Sequence, residues 1–366
     1  MFLNDIESLE IDEKCLKILR ALARIYKAEK FVKISSAHVS GVSYDNIGDE
    51  GIEWLKSIKG KVRVYTTLNP AGMDCERWRE MGLTEDFYKK QFEILKAFES
   101  LGVEITLTCT PYYVKTPKFG EHLAWAESSA VVYANSLIGA RTNRESGISA
   151  LASAIAGFTP YYGLHIKENR APTVLVEVKG DLSVVGYKAG IELPSEIPLF
   201  VFDRKVSETE LKLLSASIAA TGNIAMFHAK NITPEWKDFE IPREKVEIEG
   251  KLEKICEPDL IAIGCPHCSG GELERILKLL DGRRVKKEFW IFTSRKVFED
   301  ARKIVEELEK LGVKVFKDTC MVVSPATERF KCVMVNSGKA LEYLPKKRKV
   351  EVAFAGLEDC VRSAID

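Results

Sequence analysis

Residues 260–316 read LIAIGCPHCSGGELERILKLLDGRRVKKEFWIFTSRKVFEDARKIVEELEKLGVKVF. Short β-type runs alternate here with stretches whose apolar residues recur at helical spacing. The pattern predicts strands at Leu260–Ile263, Glu288–Thr293 and Lys314–Phe316, with helices at Glu272–Leu280 and Lys296–Leu311 between them. Strands separated by crossover helices are βαβ units, which build parallel sheets covered on both faces. The expected class is α/β.

Upstream the alternation continues less cleanly. Thr173–Val178 and Leu199–Phe202 read as strands, and Ser207-Glu208-Thr209-Glu210 is a capping box opening a helix to Thr221. Nearer the start, a helix is expected over Asp12–Lys27 and strands at Phe31–Ile34, Val62–Leu68 and Val103–Leu107. Gly48–Ile58, Glu85–Leu101 and the Ala/Ser-rich stretch Trp125–Ala156 read as helical. A polar break ending in Pro172 suggests regions 1–170, 171–255 and 256–366.

The chain has 366 residues, 46% hydrophobic and 30% charged, enough for several packed cores. Lys plus Arg and Asp plus Glu are 54 each, so no net field favours nucleic acid or anionic membrane. The basic run Lys346-Lys347-Arg348-Lys349 reads as a solvated turn. No apolar run is long enough for a membrane span, and Met1–Glu7 lacks the features of a secretory leader, so a cytoplasmic protein is expected. Nine cysteines scattered along such a chain make a poor disulfide framework. Cys15 and Cys75 are read as helix or loop thiols, and Cys256, Cys332 and Cys360 as packing residues. The one glutamine is Gln91.

Ligands of open α/β sheets bind beyond the carboxyl ends of strands. Cys109, Cys265 and Cys320 each occupy the first turn after a predicted strand, and three thiolates brought together by the fold would bind an iron–sulfur or other thiophilic centre. Three ligands leave one iron open to act as a Lewis acid. Buried, inert thiols are the alternative. Cys265-x-x-Cys268 also raises a metal-free thiol oxidoreductase, although the sequence around it is not a small dedicated redox domain. Ser40-Gly41-Val42-Ser43 could cradle an anion, and Lys339 could supply a point charge for phosphate. Neither a Walker loop nor a dinucleotide fingerprint occurs.

Taken together, SAHVSGVSYDNIGDEG (36–51), TTLNPAGMD (66–74), TCTPYY (108–113), GEHLAWAESSAVVYANSLIGARTNRESG (120–147), TPYYGLH (159–165), IGCPH (263–267), DTCMVV (318–323) and NSGKA (336–340) resemble the aconitase X family. The resemblance implies a multi-domain aconitase-like core of parallel and mixed sheets flanked by helices, without the swivelling domain that some members carry. It implies an iron–sulfur hydro-lyase whose cluster, 4Fe-4S with one open iron, is held by Cys109, Cys265 and Cys320. Substrate contacts would fall on Gly41, Val42, Ser43, Asn69, Pro70, Ser128, Ser129 and Lys339, with Ser43 and Lys339 holding a phosphate. Glu127 is a further candidate for a proton or hydrogen-bond role, and Cys268 is left out of the ligand set. The catalytic base is expected on a separate small subunit bearing the swivelling domain. The implied reaction dehydrates (R)-5-phosphomevalonate to trans-anhydromevalonate 5-phosphate. Within the family, dehydration of cis-3-hydroxy-L-proline is the rival reaction. A cluster-dependent RNA-binding role is disfavoured by the neutral charge.

Overall fold

A computed structural model describes residues 11–253 and 256–366; the Met1–Glu7 stretch read for a leader lies outside them. Three parallel sheets follow one another along the chain, each flanked by helices. The first comprises β2 (Ser36–Val39), β3 (Tyr65–Leu68) and β4 (Leu123–Trp125) in the order β3-β2-β4, while β1 (Phe31–Lys33) pairs antiparallel with β5 (Phe158–Pro160) beside it. The second contains β6 (Val174–Gly180), β7 (Pro198–Phe202), β8 (His228–Ala229) and β9 (Lys245–Gly250), ordered β8-β7-β6-β9. The third is built from β10 (Leu260–Cys268), β11 (Glu288–Thr293), β12 (Lys314–Lys317), β13 (Cys332–Val335) and β14 (Glu351–Phe354), ordered β12-β11-β10-β13-β14.

Each order has the same logic. The chain starts on an inner strand, winds out to one side, then returns to the other side of that strand. The reversal leaves a crevice at the carboxyl ends of the two strands that flank it. These switch points lie at β2/β4, β6/β9 and β10/β13.

Several elements differ from the sequence reading. The central strand of the first sheet is Ser36–Val39, just past the expected strand Phe31–Ile34 and without a β-branched run; Ala37, His38 and Val39 are buried. Val103–Leu107 is not a strand. It runs extended beside β3, with hydrogen bonds from Glu104 N–H to the Thr66 carbonyl and from Thr108 N–H to the Leu68 carbonyl, both 2.9 Å, and breaks at Leu107, whose φ is 45°. Trp125–Ala156 is not helical throughout: Trp125 ends β4, a helix at Ser128–Tyr133 passes into a π-turn at Ala134–Ile138, and a second helix spans Gly147–Ala156. The helix Leu182–Glu192 was not anticipated. Its Gly186 and Gly190 weaken a helical reading but let it approach helix Glu208–Thr221, where a Cβ at Gly190 would meet Thr221 Oγ1 at 2.0 Å. The predicted capping box at Ser207 and Glu210 is present.

Two readings of charge and cysteine are corrected. The run 346–349 is no solvated turn: Lys346, Lys347 and Arg348 form the last turn of helix Gly338–Arg348. Arg348 is buried, donating to the Val322 and Val323 carbonyls at 2.9 and 2.8 Å and pairing with Asp45 and Glu328, each at 2.8 Å. Cys256 and Cys332 are not separate packing thiols but form a disulfide, which the positions of the two residues in the fold, not their 76-residue separation, make possible. Cys15 and Cys360 are buried free thiols, and Cys75 is half-buried.

Candidate active site

The switch points of the first and third sheets open onto one cavity of about 310 Å³. Ser40 follows β2 and Glu127 and Ser128 follow β4; Cys265 lies on β10, and Lys339 begins the helix after β13. Asn69 and Pro70, just past β3, and Cys109 and Cys320 complete the floor.

Cys109, Cys265 and Cys320, far apart in sequence, border this cavity and are almost completely buried. Cys320, three residues past β12, keeps the expected place in the turn after a strand, whereas the other two do not. Cys265 lies within β10, which continues through a register break to Cys268. Cys109 follows the extended segment beside β3, and its Sγ accepts from His267 N–H at 3.2 Å. Burial pushes the Cys109 thiol up to about 12, with Glu127 adding to the rise, and burial also raises Cys265 and Cys320. The Lys339 ammonium acts in the opposite sense on all three. Burial therefore favours the protonated thiol at all three, and a bound metal would displace those protons to solvent, as thiolate coordination requires.

Among the described residues, no three His, Cys, Asp or Glu side chains close around a single metal ion. The thiols instead border a shared space, an arrangement that suits a polynuclear centre rather than one ion. The Thr319 hydroxyl, beside Cys320, is buried without a partner among the described residues. These features fit a thiolate-bound cluster. Cys268 stands apart, packed with Leu273 and Ile276 in the core on the other side of the sheet. Burial raises its thiol well above the usual range, as it does for Cys265. A reactive dithiol needs at least one lowered thiol, so the pair lacks the electrostatics of a redox motif.

A polar network fills the first-sheet wall. Glu127 pairs with Lys339, accepts from Asn69 Nδ2 at 2.9 Å and from Ser129 Oγ at 2.9 Å, and caps its own helix at Ser129 N–H. Lys339 also reaches Ser129 Oγ at 3.3 Å. Burial opposes the Glu127 charge, but Lys339 and the two hydrogen bonds overcome it and hold the carboxyl at about 2. Burial likewise opposes the Lys339 charge, yet the Glu127 carboxylate overcomes it and holds the ammonium above the lysine range. Behind Asn69 stands His38, which burial lowers to about 4, leaving a neutral ring. Its Nε2 lies 3.0 Å from Asn69 Oδ1 and its Nδ1 2.7 Å from Thr67 Oγ1. Since Asn69 gives its amide hydrogens to Glu127, its oxygen must accept, which assigns the proton to Nε2.

The remaining expected contacts lie differently. Ser129 joins the Glu127–Lys339 network, but Gly41, Val42 and Ser43 do not line the cavity. Gly41 borders an adjacent apolar pocket, Val42 is core, and Ser43 is fully buried with its hydroxyl 3.5 Å from the Val323 carbonyl. Their loop is held by Gln91, whose amide accepts from Tyr44 and Gly72 N–H and donates to the Val42 carbonyl at 2.9 Å. It is also pressed by Gly147, where a Cβ would meet the Ser40 carbonyl oxygen at 2.2 Å. Sequence reasoning missed Arg144, Tyr343 and Lys347, which also line the cavity. The i, i+4, i+8 spacing of Lys339, Tyr343 and Lys347 was the available signal.

Two facing α/β switch points, three buried thiols and a fixed carboxylate–ammonium pair define an aconitase-like class of site. Family models for the first, second and third domains of aconitase X match residues 2–168, 172–257 and 258–366. The chain belongs to the aconitase X family. It is 45% identical to the phosphomevalonate dehydratase large subunit of Methanosarcina mazei, covering 98% of this chain and 94% of that one. The corresponding subunit of Methanocaldococcus jannaschii is also 45% identical, over 98% and 97%. The cis-3-hydroxy-L-proline dehydratase of Pseudomonas aeruginosa is 30% identical over 96% of this chain and 66% of that protein. The crystal structure of Thermococcus kodakaraensis aconitase X in its holo-form superposes with a TM-score of 0.89 at 41% identity, covering 96% of this chain and 95% of that one. Among the described residues no helix is long and apolar enough to cross a membrane.

Proposed function

We propose that this chain is the large subunit of an iron–sulfur hydro-lyase that dehydrates (R)-5-phosphomevalonate together with a small subunit. The observation that carries the reading is the 45% identity, over nearly the full length of both chains, to phosphomevalonate dehydratase large subunits. The cavity supports it: a thiol trio, a polar wall and an excess of cationic side chains suit an anionic hydroxy acid.

Cys109, Cys265 and Cys320 would hold the cluster. When bound, a cluster with one iron free of protein ligands supplies Lewis acidity for the leaving hydroxyl. The chain's own residues do the rest by positioning. His38 fixes the Asn69 amide, Asn69 and Ser129 fix the Glu127 carboxylate, and Glu127 fixes the Lys339 ammonium at the cavity wall. Such a preset array needs no reorganisation when charge develops on the substrate. With its carboxyl held at about 2, Glu127 is a poor proton acceptor near neutrality, which favours a base supplied by the small subunit.

The test is anaerobic co-expression with the candidate small subunit, followed by assay of water loss from (R)-5-phosphomevalonate. The reading expects turnover that needs both subunits and iron. Turnover of cis-3-hydroxy-L-proline in its place would overturn it.

A further inference from the structure

We propose that Arg144 and Lys347 are the phosphate-recognition pair of this cavity and determine its preference for a phosphorylated acid over the unphosphorylated one. The inference deepens the hydro-lyase reading and rests on it for the choice of substrate.

Charge balance comes first. The charged side chains lining the cavity are Glu127, Arg144, Lys339 and Lys347. Glu127 and Lys339 neutralise each other at contact distance, so the expected role of Lys339 as a phosphate anchor has a competitor already in place. Arg144 and Lys347 have only neutral hydrogen-bond partners among the described residues. Arg144 Nη1 donates to the Gly222 carbonyl at 3.2 Å, and Lys347 Nζ donates to Asn46 Oδ1 at 2.5 Å. Both are half-buried. Asp45, whose charge is felt by Lys347, is already paired with Arg348 at 2.8 Å, and neither Arg144 nor Lys347 has a carboxylate in contact among the described residues. Partly desolvated cations in that position are costly unless a ligand anion joins them.

Geometry supplies the second argument. Lys339, Tyr343 and Lys347 stand at i, i+4 and i+8 of one helix and all face the cavity. Eight residues of helix advance about 12 Å, so the paired and unpaired lysines mark separate stations along the wall. A substrate with a carboxylate and a phosphate at opposite ends of a short chain needs two such stations. The Arg144 guanidinium adds a planar fork with more donors than one backbone carbonyl can use, a geometry suited to phosphate oxygens. Asn46 sits on the helix Tyr44–Lys56 that follows the Gly41–Ser43 loop, so that loop and Lys347 are mechanically linked.

The test uses the reconstituted two-subunit holoenzyme with (R)-5-phosphomevalonate and (R)-mevalonate. Arg144→Gln and Lys347→Met should each raise KM for the phosphorylated substrate about 10–100-fold, the size of a lost charge-assisted contact, with kcat within about threefold. The preference over (R)-mevalonate should fall by the same factor, and Lys347→Arg should restore most of it. Unchanged KM, or equal losses on both substrates, would overturn the proposal. A wild-type complex inactive on both compounds would sink the substrate reading, and a second arm then decides. Inorganic phosphate should raise the thermal midpoint of the wild-type complex but not that of the double variant. No rise in the wild type, or a rise surviving in the double variant, refutes the pair.

Discussion

Two crevices in this molecule arise from the same topological rule and hold different chemistry. The cavity between the first and third sheets measures about 310 Å³ and gathers three thiols with the Glu127–Lys339 pair. The depression past the ends of β6 and β9, walled on its other side by the last helix of the chain, is larger, about 980 Å³; its lining includes Asp181, Lys251, Lys287, Asp359 and Arg362 but no thiol. Asp181 is already committed, accepting from Ser183 and Val184 N–H at 2.8 and 3.1 Å as the cap of its helix. Strand order decides where a crevice opens. Whether it can catalyse depends on side chains left pointing into it with charge or ligand capacity to spare.

The largest expected effect is on activity at the smaller cavity. Lys339→Met in the two-subunit enzyme should lower kcat/KM by about 10²–10³-fold, the scale of losing one preset electrostatic group. A smaller loss would place Lys339 nearer in importance to the residues of the second-sheet depression. Next comes stability. Glu127→Gln leaves Lys339 buried and unpaired and should cost about 3–5 kcal/mol in denaturant unfolding, as removal of one partner of a buried pair does. Glu127→Gln with Lys339→Met should cost less than the sum of the singles, whereas simple additivity would deny the coupling.

A probe outside both crevices sharpens the contrast. His165 is buried, its Nδ1 3.0 Å from Nδ1 of His122 and near Arg141 and Arg170, and burial lowers it to about 3. The unfolded chain takes up this proton near pH 6.5, but the folded chain does not until about 3. The penalty on the folded state is therefore absent above about pH 6.5 and grows as pH falls, reaching about 2 kcal/mol at pH 5. His165→Phe should flatten that acid limb in urea titrations at pH 5 and 7. The smallest effect belongs to the larger depression. Asp181→Ala removes a helix cap and should cost about 1 kcal/mol, with activity within about twofold. A large activity loss there would erase the distinction between the crevices.

The third region was the most legible in the sequence, because its strands and helices are long and carry clean periodicities. The first region was less so. Its key strand, Ser36–Val39, is short and carries Ser36 and His38, whose side chains are used in hydrogen bonds to Trp125, Thr67 and Asn69 rather than for strand propensity. The cysteine trio could be picked from strand-end logic, and the structure places all three on one cavity. The Glu127–Lys339 pairing, the Gln91 clamp and the burial of Arg348 could not be picked, since each joins side chains from separate elements. The Cys256–Cys332 disulfide was hidden for the same reason.

The central claim is that Cys109, Cys265 and Cys320, and not Cys268, hold an iron–sulfur centre in the smaller cavity. Iron and acid-labile sulfide counts after anaerobic reconstitution, on the wild type and the four single Cys→Ser variants, test it most directly. The account predicts wild-type loading in Cys268→Ser and loss of most iron and sulfide in each of the other three. Full loading in any of those three, or loss in Cys268→Ser alone, would contradict it.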